Sequence, residues 1–333
     1  MLLRKLTSCH RQARTRARTH TRSRTCAKAS PSVGIVGAGS VGSAIASSLI
    51  HKNIANNIKL TDINMDMCEG VALDLQDEAF VTGTIVNAVP IKDMNSCDII
   101  IITAGAKQRP GEPRTNLVKR NAVILKSILD ALFPLKSDTV VLLVSNPVDI
   151  LTALAQKWCL PYIPREQVIG SGTYLDTQRF RVALAKRFHI GVKSIHAYVI
   201  GEHGDSQVFA HSSSMIGGTH ITNYAYVSEA EIASIEKEVR TKAYEIIKRA
   251  GATYHGIGAC VATIAESILL DKNEILPISV YVPQYDTYMG WPTILGRRGV
   301  IHTIPLILSA EEQKKLDGSA EVIKGSVDDI LAA

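Results

Sequence analysis

SVGIVGAGSVG, residues 32–42, decides how this chain is read. Ser32–Val36 is a short apolar run of β type. It ends in Gly37-Ala38-Gly39, and a small-residue helical pattern follows from about Val41 to His51. A G-x-G-x-x-G match alone is weak, but between a strand and a helix it has the context that a dinucleotide site needs. Gly37 allows the tight turn, Gly39 lets the backbone approach a pyrophosphate, and Gly42 permits close helix–strand packing. Val41 lies in the helix's first turn, where the N-terminus favours the phosphate charge. Asp62 follows Gly42 by 20 residues and ends the next strand. A carboxylate there accepts from a ribose 2′-hydroxyl and repels a 2′-phosphate, which predicts NAD over NADP.

Outward from this unit, Ile58–Thr61, Thr84–Val89, Asp98–Thr103 and Thr139–Val144 read as strands. Met65–Phe80 and about Asn116–Phe133 read as helices. Near-continuous Ile/Val runs alternating with helical segments imply parallel strands buried on both faces. The expected fold is α/β, a Rossmann-type doubly wound parallel sheet over residues 31–170, followed by an α+β domain over 171–333. In that second part the pattern predicts helices at 175–188, 229–250, 257–270 and Ser309–Leu331. Short antiparallel strands are expected near 194–200, 278–283 and 299–304.

Composition excludes several classes. The net charge of +6 comes from residues 1–30, which carry nine Lys or Arg and no acid. Setting those aside, 28 basic residues face 31 acidic ones, so the body gives no reason to expect nucleic acid. No run of about 18 uncharged apolar residues suggests a membrane span. The six cysteines show neither Cys-x-x-Cys nor zinc spacing, so no metal is expected and the thiols read as reduced. The basic tail, residues 1–30, is rich in Arg, Ser and Thr like a mitochondrial presequence, yet lacks an apolar stripe at helical spacing. A like-charged, disordered extension is the preferred reading, with a presequence as the alternative. The expected location is cytoplasmic, or mitochondrial if the tail acts as a presequence.

Gly105-Ala106 follows the fourth strand at the edge where ligands sit in open α/β sheets. Asn146-Pro147 follows the fifth, where a cis bond would turn the Asn amide toward the crevice and a plain turn is the alternative. Three further segments carry polar chemistry. Lys107–Arg114 is a Pro/Gly loop able to act as a lid. Asp176 and Arg179 share one face of a helix start. His203 stands between Glu202 and Gly204 at the end of a strand read as Ile195–Ile200, with an unperturbed pKa suited to proton exchange. Each has a bland alternative in a turn or a surface ion pair, and no spacing rule joins them in space.

The body, about residues 32–331, resembles the L-lactate/malate dehydrogenase family. The resemblance rests on GIVGAGSVG, TAGAKQRPGEPRTNLVKRN, VSNPVDIL, GSGTYLDTQRFR, IGEHGDS and AYEIIKRAGATYHGIG, in the family's order. It implies NAD as cofactor and His203 as proton donor and acceptor, with Asp176 orienting the imidazole. It implies that Arg179 clamps the substrate carboxylate, that Arg114 polarises the reacting carbonyl, and that Asn146 contacts cofactor and substrate. Malate-type relatives carry Arg six residues before Arg114; here Gln108 stands there, as in lactate-type relatives, and Thr253 fits against a substrate methyl. The implied substrate pair is pyruvate and L-lactate. Arg109, next to Gln108, keeps malate or another 2-hydroxy acid as the alternative, and Pro113 replaces a usual Ser or Thr. Arg181 and His196 match an anionic effector site of some relatives and read here as structural. The resemblance also implies a homotetramer.

Overall fold

A computed structural model describes residues 30–106 and 114–332. The first half alternates β1 (Ser32–Val36), α1 (Ser40–Lys52), β2 (Asn57–Thr61), α2 (Met65–Glu78), β3 (Ile85–Ala88), β4 (Ile99–Ile102), α3 (Arg114–Leu132), β5 (Val140–Leu143), α4 (Val148–Cys159) and β6 (Val168–Gly170). The second half runs α5 (Tyr174–Phe188), β7 (Ile195–His196), β8 (Val199–Ile200), β9 (Val208–Phe209), β10 (Met215–Ile216), β11 (Thr219–His220), α6 (Ile221–Tyr224), α7 (Glu229–Ala250) and α8 (His255–Leu269). It ends in β12 (Glu274–Val282), β13 (Thr287–Gly296), β14 (Gly299–Thr303) and α9 (Ala310–Leu331).

Six parallel strands take the order β3-β2-β1-β4-β5-β6. The chain builds outward from β1 to β3, then returns to pair β4 on the other side of β1. The direction reverses between β1 and β4, so the loops at their C-terminal ends diverge and leave a crevice. All four Ile of β4 and all of Val140–Leu143 are fully buried, which places them at the sheet's centre. At about 1.5–3 kcal/mol per buried aliphatic side chain, these eight residues are a main anchor of the fold.

Three features depart from the sequence expectation. First, α4 follows Pro147 with ten buried residues, and even its polar stripe of Asp149, Thr152 and Gln156 faces the interior, so it does not behave as a surface helix. Second, β13 carries Pro292 and Gly290 inside a long strand, a composition that reads against one. It pairs β12 along its whole length, and the Trp291 indole N–H donates to Ile304 O at 2.9 Å. Third, the strand expected over 195–200 is two: β7 joins β10 and β11, while β8 pairs β9.

The antiparallel ribbon β12-β13-β14 is not separate from the parallel sheet. Ser279 of β12 pairs Gly170 of β6, and among the described residues one sheet of nine strands results. Its core includes α8 and the Leu316, Ala320, Ile323 and Val327 face of α9. A smaller core, with Phe180, Phe188, Phe209 and Val239, lies under α5 and α7. Capping boxes, Ser228 with Glu231 and Ser309 with Glu312, start α7 and α9. No described helix is long and apolar enough to cross a membrane.

Candidate active site

The crevice between β1 and β4 opens into a cavity of about 840 Å³. Its floor is the glycine turn. Gly37 has φ +106°, and a Cβ there would lie 2.6 Å from Thr103 Oγ1; on Gly42 a Cβ would lie 1.9 Å from the Gly37 carbonyl oxygen. Both positions therefore require glycine for folding alone. Gly39 differs: its φ of −71° suits any residue, and a Cβ there would meet no protein atom within 4 Å. It nevertheless lines the cavity at the start of α1, whose first turn holds no acidic residue and no side-chain cap. The space a Cβ would fill, beside open first-turn N–H groups, fits a pyrophosphate.

Asp62 lies at the rim. Its Oδ2 accepts the Ala38 N–H at 2.8 Å and its Oδ1 the Asn64 N–H at 3.1 Å, so the carboxylate is fixed to the glycine turn with lone pairs to spare. Val41, Gly105, Ala106 and Thr253 also line the cavity. The residues present thus fit a dinucleotide: a glycine cradle, a carboxylate at the ribose distance in sequence, and apolar walls from Ile91, Ile124 and Ile128.

Asn121, which sequence reasoning passed over, ties this rim together. It is 3% exposed on α3. Its Oδ1 accepts the Ala106 N–H and its Nδ2 donates to Asn146 O, each at 2.7 Å. The loops after β4 and β5 are thereby held in register. The Asn146-Pro147 bond is cis, and the Asn146 side chain is exposed without lining the cavity. The available signal for Asn121 was an amide amid the apolar positions of α3.

Two of the three polar segments that spacing could not join do converge, Asp176–Arg179 and the His203 loop. Asp176, 2% exposed in the first turn of α5, divides its two oxygens between two partners. Oδ2 meets His203 Nδ1 at 2.5 Å, and Oδ1 faces Arg179 Nη1 at 3.4 Å. Nε2 of the ring makes no hydrogen bond among the described residues. Burial by itself would depress the imidazole. The charge and hydrogen bond of Asp176, with a smaller contribution from Asp149, outweigh it and lift His203 to about 9. The site therefore presents a protonated imidazole at neutral pH beside a guanidinium on the same carboxylate.

Gln108, with Arg109, Pro113 and the rest of the 107–113 loop, lies outside the described residues, as do the Arg114 side chain and residues 1–29. The Arg114 backbone opens α3. Arg181 is engaged within the chain: Nε donates to Ala197 O at 2.9 Å and the guanidinium lies 5.0 Å from the Tyr198 ring centre, while His196 is exposed. Cys68, Cys97, Cys159 and Cys260 are buried free thiols, and burial pushes Cys68 up to about 11.

Comparison with known proteins agrees with this geometry. Residues 32–170 match the lactate/malate dehydrogenase NAD binding domain, and residues 173–333 match the alpha/beta C-terminal domain of the same family. The chain is 44% identical to L-lactate dehydrogenase A of Rhizopus oryzae over 88% of its length and 91% of that protein. It is 41% identical to L-lactate dehydrogenase 1 of Clostridium acetobutylicum over 91% of its length and 100% of that protein. Among solved structures, the minor L-lactate dehydrogenase of Enterococcus mundtii in its ligands-bound form superposes with a TM-score of 0.86. That match has 35% identity and covers 90% of this chain and 98% of the other. With both halves of the body matched in order and the glycine turn and the His203–Asp176–Arg179 cluster in place, the chain belongs to the lactate/malate dehydrogenase family.

Proposed function

We propose that the chain is an NAD-dependent L-lactate dehydrogenase, interconverting pyruvate and L-lactate. The observation that carries this is His203 held at Nδ1 by a buried carboxylate that also faces Arg179. Bound NADH supplies a hydride to the carbonyl carbon of pyruvate. His203 then gives the Nε2 proton to the developing alkoxide, and in lactate oxidation the same nitrogen takes it back. Asp176 stabilises the imidazolium and sets the ring so that Nε2 faces substrate. Arg179 offers its planar fork to the substrate carboxylate, an interaction a lysine could not match. Arg114 polarises the carbonyl, Asn146 contacts substrate and cofactor, and Thr253 stands against the methyl group. Gly37, Gly39, Val41, Gly42, Asp62, Gly105 and Ala106 hold the dinucleotide.

Gln108 sets specificity: a neutral amide leaves the second carboxylate of oxaloacetate without a counter-charge in a closed site. The test is kcat/KM for pyruvate against oxaloacetate with NADH. A preference for oxaloacetate overturns the lactate assignment in favour of malate, the reading that the adjacent Arg109 would support. The assembly we propose is a homotetramer, supported by the exposed apolar residues Leu73, Phe80 and Ile85 on and after α2; light scattering tests it. We place the enzyme in the cytoplasm, and mitochondrial import of a fusion carrying residues 1–30 would overturn that placement.

A further inference from the structure

His203 stands in a hairpin loop, 201–207, whose stem is the short pairing of β8 with β9, Val199 opposite Phe209 and Ile200 opposite Val208. So short a ladder fixes register weakly. The entry to the loop is tied to other elements. Gly201 and Gly290 of β13 exchange main-chain hydrogen bonds at 3.0 and 2.8 Å. The Glu202 N–H donates to Ser319 Oγ of α9 at 2.8 Å, and the His203 N–H to Asp149 Oδ2 of α4 at 2.7 Å. The exit is met by α7. Arg240 Nη2 donates to the Gln207 carbonyl at 3.2 Å, while Gln207 Nε2 donates back to Gly204 O at 3.0 Å. The Arg240 guanidinium lies 4.9 Å from the Phe209 ring centre, and its Nη1 donates to Glu236 Oε2 at 3.0 Å. Glu236 Oε1 in turn meets His211 Nε2 at 2.8 Å. Two residues one turn apart on α7 thus hold the outgoing chain at alternate positions, Gln207, Phe209 and His211. Burial would raise the Glu236 carboxyl, but His211 and Arg240 hold it below the usual carboxylate range.

An i,i+4 ion pair on a partly exposed helix face contributes little by itself, and an aliphatic side chain would cover Phe209 as well. What the guanidinium adds is a planar fork, one arm on the carboxylate and the other on the carbonyl where the loop rejoins β9. A lysine ammonium has no such geometry. From Arg240, α7 continues to Ala250, about 15 Å of helix. Gly251 caps it, and Thr253, which lines the dinucleotide cavity, follows. One contact therefore couples the loop carrying the proton donor to the helix that leads to Thr253.

Resting on the lactate dehydrogenase reading, we propose that Arg240 is a positioning residue that fixes the spacing between His203 and Thr253, and so the room for the substrate's methyl group. The experiment uses the full chain and compares kcat/KM for pyruvate and for 2-oxobutanoate, one methylene longer, with NADH. Thermal unfolding and NADH titration by fluorescence confirm folding and cofactor binding in each variant. Arg240→Met still covers Phe209 and loses both hydrogen bonds. Its kcat for pyruvate should fall about tenfold at wild-type NADH affinity. Its preference for pyruvate over 2-oxobutanoate should narrow by about tenfold, the scale of discrimination that one methylene carries. Arg240→Lys keeps the charge without the fork and should fall between that variant and wild type. Lys242→Met removes an ordinary i,i+4 pair with Glu238 on the same helix and should leave kcat and preference at wild-type values. A wild-type preference in folded Arg240→Met overturns the proposal, even with lowered kcat or thermal stability, because the contact is then only structural. A change no larger than that of Lys242→Met overturns it too. If Arg240→Met does not fold, Arg240→Lys decides, and an unmoved preference there is the overturning result. A wild-type protein that fails to reduce pyruvate removes the lactate dehydrogenase reading and this role with it, whereas pyruvate reduction beside an unmoved preference in Arg240→Met removes the role of Arg240 alone.

Discussion

Replacing Asp176 with asparagine isolates the largest charge effect that raises His203. The substitution keeps size and hydrogen-bonding capacity and removes the charge that, with its hydrogen bond, outweighs burial and holds His203 at about 9 instead of 6.5. With Asp176 neutral, the imidazole should fall to about 6.5 or below, since burial then acts with less opposition. At pH 7.5 the protonated fraction would drop from about 97% to about 9%, a loss of about tenfold in pyruvate reduction from protonation alone. The difference between about 9 and 6.5 corresponds to at most about 3.4 kcal/mol; because the ring is 28% exposed and Asp149 supplies part of the bias, about 2 kcal/mol is the better figure. Lactate oxidation needs the neutral ring, whose fraction at pH 7.5 rises from about 3% to about 91%, so that direction should suffer less and its optimum should move to lower pH. The assay is NADH absorbance in both directions from pH 5.5 to 9.5. A variant whose pyruvate-reduction profile still breaks near pH 9 would refute the reasoning.

Four further outcomes follow from the same geometry. Because the folded-state pKa of His203 is raised, its contribution to stability is full below about 6.5 and disappears as pH rises through about 9; wild-type unfolding free energy in urea should fall across that window more than that of Asp176→Asn. Gly39→Ala should fold with unchanged Tm yet lose NADH affinity, whereas Gly42→Ala should lose stability outright, as calorimetry and NADH titration would show. Asp62→Ser should narrow the preference for NADH over NADPH in steady-state kinetics, and an unchanged ratio would remove Asp62 from the ribose site. Asn121→Ala, which frees the Ala106 N–H and the Asn146 carbonyl, should cost about 1–3 kcal/mol in denaturant unfolding and raise KM for NADH.

Where this chain was legible from its residues, the signal was local. Ser32–Val36, Gly37, Gly42 and Asp62 lie within one strand–helix–strand unit, so the turn, the strand end and the crevice follow from periodicity and steric need over about thirty residues. The buried runs of β4 and β5 announced a parallel sheet in the same way, because strands covered on both faces leave no polar alternation. Legibility ended at α4 and β13, the one buried even along its polar stripe and the other interrupted by Pro and Gly; packing against neighbours far along the chain overrides local pattern in both. The pairing of His203 with Asp176, 27 residues away, was available only through family likeness, and the grip of Asp149, 54 residues away, not at all. Sequence by itself determined which residues could do chemistry and which strand ends would carry them. Tertiary structure decided which of them meet, because a hydrogen bond depends on ångströms of placement that the crossing of α4, α5 and the His203 loop supplies and no local spacing encodes.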